Sequence, residues 1–180
     1  MYETIDVNTG EVVISREVST LRALALGSCI AVTAWDSSTQ TAGLAHIMLP
    51  GKAPGSHTGK YRYALDAIDH LLDQMVLLGS GLLDIDICLV GAGNVLQKKD
   101  DSICRLNIES ARSILSQKGI SVRASLLGGD CRKSVFLERV SGKVWASAGD
   151  EPKFLLWTSR HKAAEPVFTH EDITLTESPL

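Results

Sequence analysis

A chain of 180 residues with 44% hydrophobic and 22% charged side chains has the balance of a soluble globular protein, long enough to bury one sizeable core. Its net charge of −3 and pI near 5.9 leave no basic footprint for nucleic acid. The start, Met1-Tyr2-Glu3-Thr4-Ile5-Asp6, is unlike a secretory signal. The most apolar stretch, 75–96, is broken by Gly79, Gly81, Asp84, Asp86 and Gly91, so it is too interrupted to span a bilayer and a cytoplasmic protein is expected.

Val12-Val13-Ile14 reads as a short strand, and the apolar run 21–26 stops at Gly27. The run 29–35 is short and β-branched, and reads as a strand. A polar turn over 36–40 sends the chain back along 41–49, which makes a hairpin with Cys29 and His46 roughly level across it. The loop 50–60 carries Gly51, Pro54, Gly55 and Gly59. Ala64, Ala67, Ile68, Leu71, Leu72, Met75 and Val76 then recur at helical spacing over 63–78, and Gly79 supplies the stop. The run 84–90 reads as a strand that buries Cys88. A second helix is expected over 107–117, with Asn107 as its N-cap and Gly119 at its end. The run 122–127 is a strand, and 134–140 with 143–148 form a hairpin around Ser141-Gly142. A short helix is expected near 154–162. The domain is taken as residues 1–150, with 151–180 as an extension packed on it or trailing from it.

About eight strands and two helices are too few helices to cover both faces of a large parallel sheet. The fold class expected is α/β: a layered sandwich of two packed mixed β-sheets with flanking helices.

Chemistry is concentrated in Leu26-Gly27-Ser28-Cys29 and in Ala45-His46-Ile47-Met48-Leu49-Pro50. A thiol is nucleophilic as its thiolate, and an imidazole within reach can take the proton and return it to a leaving amine. Gly27 and Ser28, just before the thiol, lack bulk, so backbone N–H groups there can approach a tetrahedral oxyanion. These residues suit acyl transfer from an amide. The four cysteines, Cys29, Cys88, Cys104 and Cys131, form no C-x-x-C pair and have no histidine at zinc spacing, so reduced thiols and no metal are expected. Gly91-Ala92-Gly93-Asn94 begins like a dinucleotide fingerprint but lacks its third glycine and a following helix. His70 falls on the first helix and reads as a surface residue.

Taken in order, these segments resemble the CheD family, the chemoreceptor glutamine deamidases of bacterial chemotaxis. The resemblance runs over roughly residues 10–148. It takes in the Gly27-Ser28-Cys29 and Ala45–Pro50 segments, Tyr63-Ala64, Gly91–Asn94, the region of Asn107, Leu127-Gly128-Gly129, Arg132-Lys133 and Gly142-Lys143-Val144. It implies Cys29 as nucleophile and His46 as general base. It also implies hydrolysis of glutamine side-chain amides in the cytoplasmic domains of chemoreceptors, with release of ammonia and with neither metal nor organic cofactor. The implied fold is the sandwich shared with bacterial toxin deamidases, and a CheC-type phosphatase is a partner of some members.

Three positions depart from the family pattern. The threonine usual six residues before the cysteine, which orients the histidine, is Ala23, with Thr20 or Thr33 as substitutes. A glycine pair is Gly91-Ala92, and an aspartate at the helix start is Leu65. Ala23 favours a second reading, a deamidase-like module that docks to a receptor or phosphatase with little chemistry. Retention of Cys29 and His46 favours the enzyme. A cysteine peptidase or transglutaminase-like enzyme shares the chemistry but has no supporting motif.

Overall fold

Short β-branched runs separated by glycines and polar turns become ten strands among the described residues, joined by two α-helices. The computed structural model describes residues 3–55, 59–97, 99 and 102–159. In chain order the elements are β1 (Thr4–Asp6), β2 (Val12–Ser15), β3 (Thr20–Leu26), β4 (Ile30–Asp36), β5 (Thr41–Ile47), α1 (Ala64–Leu77), β6 (Asp86–Gly91), α2 (Ser102–Gln117), β7 (Val122–Leu127), β8 (Lys133–Glu138), β9 (Val144–Ala148) and β10 (Phe154–Trp157).

Two five-stranded sheets form, in the orders β2-β5-β4-β6-β7 and β1-β3-β8-β9-β10. Each is mixed: β6 with β7 and β1 with β3 are parallel, and the remaining pairs are antiparallel. Every residue of β4 and β5 is buried, because each strand is covered on both faces. On one side, Ile30, Val32, Ala45 and Ile47 pack with Leu71 and Met75 of α1 and Ile114 and Leu115 of α2. On the other, Ala31, Trp35, Ala42 and Leu44 meet Leu21, Val135 and Leu137 of the second sheet. The layers therefore run helices, sheet, sheet. This is the expected α/β sandwich, with both helices on the same side.

Several local expectations change. The hairpin over 29–49 forms, but its register pairs Ala31 with His46, so Cys29 lies just before β4 and diagonal to His46 rather than level with it. Asn107 is no N-cap: α2 starts five residues earlier, and Asn107 is fully buried within it. The hairpin near Ser141-Gly142 turns through a longer connection, closed by the Glu138 N–H donating to the Lys143 carbonyl at 2.9 Å. The helix expected near 154–162 is instead β10, an edge strand beside β9, with residues 160–162 outside those described. Strand-forming Phe154-Leu155-Leu156-Trp157 has the open edge of β9 as its hydrogen-bonding partner, and that edge overrides a weak helical pattern.

Candidate active site

Side chains alternate across a strand, so burial on either side assigns each residue to a face. Ala45 and Ile47 face the helices. His46 between them must face the other sheet, and Cys29 packs against that same inter-sheet core. Cys29, just before β4, and His46, on the adjoining β5, thus lie on the same face of one sheet in a diagonal relation. Diagonal neighbours in a sheet have Cα atoms roughly 7–8 Å apart.

His46 is 6% exposed, and its Nδ1 lies 2.9 Å from the Val7 carbonyl oxygen. A carbonyl only accepts, so Nδ1 carries the hydrogen and Nε2 keeps its lone pair. Nε2 lies 3.4 Å from the Thr9 hydroxyl. The Thr9 side chain also hydrogen-bonds Cys29, so this one hydroxyl touches both members of the pair. Burial pushes the Cys29 thiol above its ordinary pKa, partly opposed by Thr9 and by the residue's own backbone N–H. Burial likewise pushes His46 below 6.5, opposed by the Val7 carbonyl and the charge of Glu11. At rest Cys29 is a neutral thiol and His46 a neutral imidazole with its hydrogen on Nδ1.

The threonine expected near the histidine is therefore found in an unexpected place. Ala23 is 1% exposed in the inter-sheet core, where it pairs with Val135. Thr33 donates weakly to the Cys88 carbonyl at 3.4 Å, and Thr20 lies at the start of β3, paired with Thr4 and Glu138. Neither bonds to His46. The Val7 carbonyl orients the imidazole, and Thr9 supplies the hydroxyl. Sequence reasoning missed both because they sit between β1 and β2, where nothing but the folded sheets brings them to β5.

Gly27 and Ser28 flank Cys29 in a shallow groove of about 310 Å³, lined also by Ala25, Gly93, Leu96 and Arg132. The loop after β6 braces this turn: Ala92 N–H donates to the Cys29 carbonyl at 2.6 Å and Gly93 N–H to the Gly27 carbonyl at 2.7 Å. Gly91, at φ 125°, must be glycine, because a Cβ there would collide with the Cys29 carbonyl oxygen. Ala92 has φ 53°, a left-handed conformation more costly for alanine than for glycine. From below, Asn107 Nδ2 donates to the Ser28 carbonyl at 2.9 Å and the Met48 carbonyl at 3.0 Å. Cys88 and Cys104 are buried, and Cys131 is half-buried. His70 stacks on Tyr61 with ring centroids 4.3 Å apart, away from the pair. Among the described residues, no three His, Cys, Asp or Glu side chains gather to hold a metal ion.

The family model for CheD chemotactic sensory transduction matches residues 48–148. The chain belongs to the CheD family. A relative from Chlorobium luteolum, named as a probable chemoreceptor glutamine deamidase CheD, is 37% identical over 150 residues, covering 83% of this chain and 75% of the relative. A relative of the same name from Methanococcus maripaludis is 28% identical over 151 residues, 83% of this chain and 97% of its own. A third, from Chromobacterium violaceum, is 30% identical over 133 residues, 70% and 68% of the two chains. The span matched by the family model begins just after His46 of this CheD-family chain. Among its described residues, no helix is long and apolar enough to cross a membrane.

Proposed function

We propose that this CheD-family chain is a protein-glutamine deamidase acting on chemoreceptor cytoplasmic domains in the cytoplasm, with Cys29 as nucleophile and His46 as general base. The observation that carries the reading is the anchored imidazole: Nδ1 held by the Val7 carbonyl leaves Nε2 as an acceptor, reached by the same Thr9 hydroxyl that hydrogen-bonds Cys29. The printed names of the relatives support glutamine in chemoreceptors as the substrate.

Nε2 accepts the Sγ proton, and Sγ attacks the glutamine Cδ to give a tetrahedral oxyanion. The imidazolium returns its proton to the amide nitrogen, ammonia leaves, and a thioester remains. Water, deprotonated by Nε2, then opens the thioester, and the released products are glutamate and the free thiol. Depression of the His46 pKa keeps the base unprotonated to below pH 6.5. A CheC-type phosphatase is proposed as a partner on family resemblance.

Incubation with a receptor cytoplasmic domain should release ammonia and give the mass gain of amide-to-acid conversion. Cys29→Ala should abolish this, and His46→Ala should lower kcat by about 10²–10⁴-fold. Equal rates for the wild type and Cys29→Ala would overturn the enzyme reading and leave a docking module.

A further inference from the structure

We infer that Asn107 is a positioning residue: it turns the Ser28–Cys29 peptide so that the Cys29 N–H points into the groove and acts as the oxyanion donor. The inference rests on the acyl-transfer reading above, though not on the identity of the physiological substrate.

A trans peptide is planar, and its C=O and N–H point in opposite directions. Fixing the Ser28 carbonyl therefore fixes the Cys29 N–H. Asn107 Nδ2 takes the Ser28 oxygen at 2.9 Å from the α2 side. The N–H of the same peptide is thereby aimed away from α2. Three observations agree with that direction. The N–H lies close enough to its own sulfur to hydrogen-bond it. It donates to no carbonyl among the described residues, whereas the two neighbouring carbonyls, of Gly27 and Cys29, are both taken by the loop after β6. Gly27, Ser28 and Cys29 line the open groove.

The Asn107 side chain cannot sit the other way round. Both of its partners are carbonyls, so its NH₂ must face them, and a flipped amide would set oxygen against oxygen. The second bond, to Met48 O, ties the chain just after β5, the strand carrying His46, to the same anchor. Asn107 is 0% exposed, and its Oδ1 is buried without a hydrogen-bond partner. A leucine would fill similar space and remove the unpartnered Oδ1 but leave the Ser28 and Met48 carbonyls without their donor, so what the asparagine supplies beyond packing is its hold on those two carbonyls.

Two reagents separate this role from a purely structural one. Acylation of Cys29 by p-nitrophenyl acetate passes through a tetrahedral oxyanion, whereas alkylation by iodoacetamide is a direct displacement that forms none. Both rates are read at Cys29, against Cys29→Ala as background. Loss of a full oxyanion donor costs about 10²–10³-fold, so Asn107→Leu, which misaims one, should lower acylation by about 10–100-fold while alkylation stays within about two-fold. An unchanged ratio of the two rates, or an equal fall in both, would overturn the inference. Should Asn107→Leu not fold, the wild type still decides. Its Cys29 amide hydrogen should exchange rapidly in NMR beside protected strand amides such as that of Val32, and comparable protection of the two would overturn the inference. A wild type that is acylated in this way yet releases no ammonia from receptor domains would remove the substrate assignment and leave the role of Asn107 standing.

Discussion

At the residue scale, a half-buried thiol and a buried imidazole are each held in their uncharged forms by desolvation. Thr9 is the contact that works against this for the thiol, because a hydroxyl can donate to sulfur as the proton leaves it. Removing it should move the Cys29 pKa further up. Thr9→Val should therefore slow iodoacetamide alkylation of Cys29 near neutral pH by about three- to ten-fold, the worth of one hydrogen bond. The midpoint of the alkylation profile should shift to higher pH, and Thr9→Ser should restore it. Superimposable profiles for wild type and Thr9→Val would show that the hydroxyl has no hold on the thiol. Cys29 and His46 stand out in the sequence as candidates because a thiol and an imidazole are recognised by residue type. Val7 was not, since its contribution is a backbone carbonyl that any residue type would bring.

At the element scale, the site is a turn between β3 and β4 clamped from two sides, by the loop after β6 and by α2. The loop was visible in the sequence as Gly91-Ala92-Gly93-Asn94, but its purpose was not. Its Gly91 answers a steric demand from Cys29, far earlier in the chain. Gly91→Ala would place a methyl against the Cys29 carbonyl in a left-handed conformation, at a cost on the order of 3 kcal/mol or more. The protein should unfold at markedly lower urea, and whatever folds should react slowly at Cys29, since the displaced carbonyl belongs to Cys29 itself. A variant with wild-type urea midpoint and wild-type alkylation would contradict this account of the loop. Asn107 looked like a cap because asparagine is common at helix starts. That statistic cannot register that two carbonyls from distant strands converge on a helix interior.

At the scale of the whole molecule, pH should act on stability through the histidines. His46 and His70 both have depressed pKa values, chiefly from burial. On acidification the unfolded chain takes up these protons first, so protonation favours unfolding. Their contribution is complete above about pH 6.5 and is lost as pH falls through the lower folded-state values. The urea midpoint should decline between pH 7 and 5, and the double variant His46→Gln, His70→Gln should flatten that decline. An equally steep decline in the double variant would assign it to other groups. What the sequence by itself determined was local or chemical in kind. It held the strands β4 and β5, the amphipathic helix α1, the sandwich class and a candidate thiol and imidazole, because periodicity and residue type are properties of neighbouring positions. The tertiary structure alone decided the register that places Ala31 opposite His46, the strand rather than helix at 154–157, and the convergence of Val7, Thr9 and Asn107 on one turn. Those depend on which backbone groups and sheet edges remain unpaired after folding, and no local pattern carries that information.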